Sequence, residues 1–314
     1  MIHSWEITDR DTWLARRGKN INASEVAALF GQRVHPFLTP LKLFALKSGI
    51  LTEEGDSPTK RRGRYFEPVV ADILREDYPD WTITKHTSYF WDEEKRLGAT
   101  PDFWATRPLA YGPLTIQVKT VGQFAFRRHW HTPEGEIAVP LWVAVQANVE
   151  AYLTGAAEAG VAALRLGDGG LDVLYVDIPL KLPLIRKIEE LADEFWLRIK
   201  ENRPYEPELP GRDRQLVMDL WEPGPAVDLS HDDEFTSLVF AREGLMKIER
   251  DARTANEQRK QVDAQLIRRM GNSSRAIVDG GAEVMVAMID KKSYTVRAQH
   301  YPLIRLKPPK VTND

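Results

Sequence analysis

Residues 98–122 read GATPDFWATRPLAYGPLTIQVKTVG, and the reading of this stretch decides the fold. Asp102 follows a proline and opens a short β-type run. After a brief gap comes a compact apolar run, bounded by glycines, that carries Gln-Val-Lys. Short apolar runs between turn residues mark buried strands. Alternate side chains of a strand share one face, so Gln117 and Lys119 point together while Val118 points into the core. The Val118 backbone carbonyl remains free to act as a ligand.

Helical patterns flank this centre. ASEVAALFG (23–31) has Ser24 as a candidate N-cap and Gly31 as a stop signal. TPLKLFALKSG (39–49) has Pro40 in its first turn and also ends at glycine. RRGRYFEPVVADILRED (61–77) sets Phe66, Val69, Val70 and Ile73 or Leu74 at helical spacing. WTITKHTSYFWD (81–92) alternates as one strand, and PLWVAVQANVEAYLTG (140–155) is a helix with Gly155 just past its end. EAGVAALRLG (158–167) and LDVLYVDIP (171–179) form a strand pair, followed by the amphipathic helix LIRKIEELADEFWLRIKEN (184–202). Strands with helices on both sides predict an α/β fold, a central mixed sheet flanked by helices.

The Pro-rich NRPYEPELPG (202–211) divides a core, 1–202, from an extension, 203–314. Residues 232–271 predict one long helix or a helical hairpin. Strands follow in 274–290 around a Gly280-Gly281 turn, and then SYTVRAQHYPLIRLK. The extension is a helix-plus-hairpin addition and carries no second catalytic pattern.

Composition narrows the chemistry. The chain has no cysteine, which excludes a disulfide scaffold, a thiolate zinc site and a cysteine-ligated iron–sulfur cluster. It lacks an apolar run of about 18 residues, the length a membrane helix needs. The first twenty residues have no apolar centre of a secretory signal, and a cytoplasmic location is expected. The formal net charge of −3 neither requires nor forbids nucleic acid, because attraction and screening are local. Two basic clusters do stand out: KRRGR at 60–64, with Arg61, Arg62 and Arg64, and RRHWH at 127–131, with Arg127 and Arg128. Each reads either as solvated surface or as a contact to backbone phosphate. Trp130, inside the second cluster, is either a packed aromatic or a platform for a base.

Breaking a phosphodiester at neutral pH needs charge stabilisation on the phosphate and an activated water. A hard cation held by carboxylates supplies both, and a lysine helps to orient or deprotonate the water. Asp102, Gln117 and Lys119 have the residue types and common face for such a site, with Gln117 standing where the chemistry would favour an acid. Glu67, on the helix after the basic run, can bring a further carboxylate. Gln146, on the helix after the Gln-Val-Lys strand, is drawn toward the site or is a satisfied polar group at the core edge.

The order ASE, RGRYFEPVV, GATPDF, IQVKT and VQANVEAYLTG resembles the YqaJ-type viral recombinase nucleases, which include phage lambda exonuclease. The resemblance runs over about residues 13 to 155 and implies a PD-(D/E)XK, restriction-endonuclease-like core. It makes Asp102 the central metal ligand, Glu67 the helix acid, Lys119 the catalytic lysine and Gln146 the glutamine of the following helix. Gln117 takes the place of the motif's second acid, and the Val118 carbonyl completes the metal set. Arg17, Ser24 and Thr100 match the positions that hold a 5′-phosphate, and a guanidinium fork with two hydroxyls suits that group. Thr100 stands where lambda exonuclease has serine.

The resemblance further implies Mg²⁺ (or Mn²⁺) as cofactor and linear double-stranded DNA as substrate, digested from the 5′ end to leave a 3′ single strand. It also implies a homotrimeric ring and a single-strand annealing protein as partner. Gln117 leaves three readings open: a working amide ligand, an inactive DNA-end-binding relative, or an isosteric replacement of glutamate. A restriction-like or junction-resolving endonuclease would use the same core. An unrelated α/β enzyme has little support, because the sequence has no G-x-x-x-x-G-K-[ST], G-x-G-x-x-G or H-E-x-x-H pattern.

Overall fold

The run around Gln117 becomes the middle strand of a five-stranded sheet. The computed structural model describes residues 1–288 apart from 32–33, 53–54, 56, 168–169, 209–210, 222 and 278–282. The strands are β1 (Ile2–Glu6), β2 (Ile21–Asn22), β3 (Thr82–Lys85), β4 (Ser88–Asp92), β5 (Leu97–Ala99), β6 (Phe103–Thr106), β7 (Leu114–Gly122), β8 (Glu158–Gly167), β9 (Gly170–Ile178), β10 (Arg275–Ile277) and β11 (Glu283–Met285). The helices are α1 (Arg10–Gly18), α2 (Ala23–Val26), α3 (Pro40–Lys47), α4 (Pro58–Asp77), α5 (Gln123–His129), α6 (Leu141–Thr154), α7 (Leu182–Lys200), α8 (Arg214–Asp219) and α9 (Asp233–Met270).

The main sheet has the order β3-β6-β7-β8-β9. Only β7 and β8 run parallel, with Gln117 opposite Val161, and a parallel pair requires a crossover. That crossover contains α6. Its Val143, Ala147 and Ala151 pack on Ala159, Val161 and Ala163 of β8. The opposite face, including Ile116, Val118, Ala162 and Leu164, is covered by Val70, Ala71 and Leu74 of α4. The strand period therefore sends Val118 toward α4 and Gln117 toward α6, as the sequence implies. The mixed sheet flanked by helices is the expected α/β core.

A smaller sheet, β1-β4-β5-β2, lies on the N-terminal side of the chain. Its Ile21, Leu97 and Ala99 share a second core with Leu43 and Phe44 of α3, Val145, Val149 and Leu153 of α6, and Ile188 and Phe195 of α7. Helix α6 is thus packed between the two cores, and its buried residues include Gln146, Asn148 and Glu150. Tyr89 ties the smaller sheet to the chain before α2. It accepts from Asn20 Nδ2 at 3.0 Å and donates to Asn22 Oδ1 at 3.2 Å. Gly98 must be glycine for this, since a Cβ there would lie 1.9 Å from the tyrosine oxygen.

Several elements differ from the sequence expectation. Residues 81–92 are two strands, β3 and β4, in two different sheets, because the chain turns at His86 and Thr87. The cap of α2 is Asn22 rather than Ser24: the Asn22 N–H donates to Glu25 Oε2 at 2.8 Å, closing a capping-box contact two residues earlier. The first compact unit extends to Asp219, past the Pro-rich break at 202–211. Tyr205 stacks on Phe195, Arg212 donates to the His35 and Leu38 carbonyls, and Thr39 donates to the buried Asp213 at 2.6 Å. These contacts return the segment after α7 to α3.

The second unit, Leu220–Asp314, contains α9 as one uninterrupted helix and the antiparallel pair β10–β11. The Gly280-Gly281 turn and SYTVRAQHYPLIRLK lie outside the described residues. Among the described residues no helix is long and apolar enough to cross a membrane.

Candidate functional site

Four side chains from three parts of the main unit meet in one hydrogen-bonded chain. Asp102 precedes β6, Gln117 and Lys119 lie on β7, and Gln146 lies on α6. Lys119 Nζ donates to Gln146 Oε1 at 2.7 Å. Gln146 Nε2 donates to Gln117 Oε1 at 2.6 Å and to Glu150 Oε1 at 2.8 Å. Gln117 Nε2 donates to Asp102 Oδ2 at 2.5 Å and to the Val118 carbonyl at 2.9 Å. The Val118 N–H adds a second bond to Asp102 Oδ2, at 2.7 Å. An ammonium only donates and a carboxylate only accepts, so the two ends of the chain fix the direction of both amides.

Burial sets the electrostatics. The Asp102 carboxyl is pushed up to about 6, first by desolvation and then by the neighbouring charge of Glu67, against the Val118 N–H and Lys119. Desolvation lowers Lys119 from the usual lysine range, opposed by Asp102, Glu150 and Glu67. Glu150 is pushed up to about 8 by burial and by Asp102. Its second oxygen, Oε2, is buried without a hydrogen-bond partner. Glu67, on α4, is paired with Lys85 Nζ at 2.5 Å.

The oxygens at hand are the Asp102 and Glu67 carboxylates, the Val118 carbonyl and the Gln117 amide. All are hard donors, which suits Mg²⁺ or Mn²⁺ and not a thiophilic ion. Among the described residues no three acidic, histidine or cysteine side chains gather at one point, so the set is short of one negative charge. It fits a hard divalent ion provided that Gln117 turns its oxygen inward. In the observed orientation the Gln117 NH₂ group occupies the bridging position between Asp102 and the Val118 carbonyl.

A second group forms around α1. Trp13 Nε1 donates to Thr100 Oγ1 at 3.1 Å, and the Arg17 guanidinium stacks over the Trp13 ring, 4.7 Å from its centroid. Trp13 therefore links Arg17 to the residue just before Pro101 and Asp102. Ser24 is exposed on α2 and takes no part in this stack; its carbonyl contacts His35 Nε2. Arg61 and Arg62 are exposed and line a cavity of about 500 Å³ with Ser57, Pro58, Tyr65 and Phe66. Arg64 is exposed on the same helix, and Arg127 and Arg128 are exposed on α5. Trp130 is a packed aromatic, 3% exposed and stacked on Phe126.

Residues 12–157 match the family model of the YqaJ-like viral recombinase domain. No curated protein matches the chain. An alkaline exonuclease from Laribacter hongkongensis, LHK-Exo, is similar over 62% of this chain and 94% of its own, at 16% identity and a TM-score of 0.46. A phage-related exonuclease from Haemophilus somnus 129PT is similar over 58% of this chain and 96% of its own, at 10% identity and a TM-score of 0.41. A putative exonuclease from Eubacterium rectale is similar over 72% of this chain and 98% of its own, at 12% identity and a TM-score of 0.45.

The matched residues contain both groups, from Trp13 to Glu150. Three of their members were not singled out from sequence. Glu150 lies one helical turn after Gln146, so the i, i+4 spacing on α6 was the available signal. Lys85 comes to Glu67 only through the pairing of β3 with β6, and Trp13 to Thr100 only through the tertiary fold.

Proposed function

We propose that this chain is a Mg²⁺-dependent 5′→3′ exonuclease that digests one strand of linear double-stranded DNA and leaves a 3′ single strand. The observation that carries this reading is the hydrogen-bonded chain joining Asp102, Gln117, Gln146 and Lys119 on the two β-runs and the helix between β7 and β8. The match of residues 12–157 to the YqaJ-like viral recombinase domain agrees with it.

Asp102, Glu67, the Val118 carbonyl and the Gln117 amide oxygen would hold Mg²⁺, with Mn²⁺ as a substitute. Bound there, the ion supplies charge stabilisation at the scissile phosphate and acidifies a water. Lys119 Nζ, already lowered by burial, positions that water and takes its proton while Gln146 holds the amine in place. Arg17 and Thr100 hold the 5′-phosphate after each cut, and Ser24 joins them when DNA is bound. Arg61, Arg62, Arg64, Arg127 and Arg128 contact backbone phosphates, so binding weakens steeply with salt. A homotrimeric ring around the duplex would keep the enzyme on its substrate, and a single-strand annealing protein would take the exposed 3′ strand.

One observation favours a second reading, an inert DNA-end-binding protein. The Gln117 NH₂ group satisfies Asp102 and the Val118 carbonyl without any cation. The test is digestion of a 5′-phosphorylated linear duplex with Mg²⁺ or Mn²⁺, the chain beside its Gln117→Glu variant, with a closed circle as control. End-dependent digestion by the chain supports the exonuclease. Digestion by the variant alone supports the inert reading, and equal cutting of the circle points to an endonuclease.

A further inference from the structure

Helix α1 presents two faces to two different neighbours. Trp13 and Arg17, four residues apart, form the stack that reaches Thr100. Thr12 and Arg16, with Lys19 at the C-cap, follow the next face at helical spacing. With Trp91, Glu93 and Arg96 of the β4–β5 hairpin they line a cavity of about 500 Å³. That volume falls in the range of small-molecule sites and is too small for a duplex.

The charges around this cavity do not balance. The Arg16 guanidinium lies over the rings of Trp5 and Trp91, 4.8 and 5.0 Å from their centroids. Its Nε is buried without a hydrogen-bond partner, and neither Arg16 nor Lys19 has an anionic partner among the described residues. Glu93, the acid of the lining, lies 3.2 Å from His3 Nε2 instead. Cations in a last helical turn complement the helix dipole, and the exposed Lys19 can do so from water. That role does not require a guanidinium Nε shut off from solvent. The carbonyl end of α1 is, moreover, already covered. Asn20 donates to the Arg16 carbonyl, Asn22 and Lys47 donate to that of Arg17, and Arg96 donates twice to that of Lys19. Both charges are left for a ligand.

We propose that this cavity is a nucleotide site, which holds a nucleoside monophosphate, free or as the 5′-terminal unit of a strand, by its phosphate on Arg16 and Lys19. Two unpaired cations match a phosphate monoester, which carries nearly two charges at neutral pH, whereas a carboxylate brings one. The planar guanidinium offers paired donors in the geometry that phosphate oxygens accept. Trp91 and the Thr12 methyl give the rest of the ligand an apolar wall. The site is separate from the Arg17–Trp13–Thr100 stack, which lies on the neighbouring face of the same helix. The charge imbalance stands by itself, while the choice of a nucleotide over other phosphate monoesters rests on the exonuclease reading.

The test is calorimetric titration of dTMP into the full chain in EDTA. An Arg17→Ala background removes the charged contact proposed for the duplex end. The background protein is expected to bind dTMP, with affinity lowered about 10–100-fold by adding Arg16→Gln and about two- to fivefold by adding Lys19→Ala. Lys19 is exposed, so its variant still tests the site if Arg16→Gln disturbs the packing on Trp5 and Trp91. No binding of dTMP, or binding unchanged by both substitutions, overturns the site. Inorganic phosphate or ribose 5-phosphate binding as tightly as dTMP overturns the nucleotide class. Displacement of dTMP by a 5′-phosphorylated single strand, but not by its 5′-hydroxyl counterpart, assigns the strand terminus. No displacement by either assigns the free nucleotide, and equal displacement by both overturns the monoester. The titration reads binding without metal, so its failure leaves the digestion test of the exonuclease reading standing, and an inert chain would still bind dTMP.

Discussion

The side-chain nitrogen of Gln117 lies 2.5 Å from Asp102 Oδ2, where a metal-free site with glutamate at 117 would set two carboxylates against each other. Gln117→Glu should therefore destabilise the metal-free protein. Two acids in one buried place cannot both ionise without cost, and the lost donor leaves Asp102 with the Val118 N–H. The expected loss is about 1–3 kcal/mol, reversed by millimolar Mg²⁺. Urea unfolding of both proteins in EDTA and in Mg²⁺ measures it. Equal stability in EDTA would mean that the amide hydrogen bond contributes nothing.

Lys119 is the group whose loss should stop chemistry without stopping binding. Lys119→Ala should lower kcat by about 10²–10⁴-fold, the usual range for losing a positioned acid or base. Affinity for a duplex end should change little, since the proposed phosphate contacts lie on α1, α2, α4 and α5 and at Thr100. Because burial lowers the amine and the base form is the neutral one, the chain's rate should rise with pH on its acidic limb. Single-turnover rates across pH, beside end binding by fluorescence anisotropy, separate the two effects. An unaltered acidic limb in Lys119→Ala would remove the lysine from the proton transfer.

Glu150 makes stability depend on pH. Its carboxyl is held near 8 in the folded chain against an ordinary 4.5, and Asp102 shifts the same way, to about 6. The folded state therefore binds more protons than the unfolded state, so stability is present at acid pH and is lost as pH rises from about 4.5 through 8. Glu150→Gln keeps the acceptor for Gln146 and removes the titration. It should be more stable than the parent above pH 8, by about 1–3 kcal/mol because Asp102 and Lys119 titrate with it, and no more stable near pH 4.5. Chemical unfolding at the two pH values decides it; a gap of the same size at both would assign the effect to packing.

How much of this was legible in the sequence follows from the range of the interactions. Strand β7 and helix α6 were readable because each carries its own period and glycine stops, and the shared face of Gln117 and Lys119 follows from the pleat alone. The split of residues 81–92 into β3 and β4 was not, because alternation continues through His86 and Thr87 and only pairing with β6 and β1 assigns the halves. The cap of α2 was misplaced by two residues because Asn22 and Ser24 are both good caps, and Glu25 decides between them. The end of the first unit was hidden for a tertiary reason. Asp213 is 1% exposed, and the contact that holds it, to Thr39, spans 174 residues.

Arg17 and Thr100 come together through a residue that touches both, and this gives a graded test of end recognition. Arg17→Ala removes the charged fork and should reduce the preference for a 5′-phosphorylated over a 5′-hydroxyl duplex by about 10–100-fold, the worth of one charge-assisted hydrogen-bond pair. Trp13→Phe keeps a ring beneath Arg17 but deletes the 3.1 Å bond from the indole nitrogen to Thr100, freeing its hydroxyl to rotate. Its effect should be in the same direction and smaller, a few-fold, with the rate on 5′-hydroxyl ends unchanged. Initial digestion rates on the two substrates, taken as a ratio for each protein, give the order. If Trp13→Phe matched or exceeded Arg17→Ala, the tryptophan rather than the guanidinium would be reading the end.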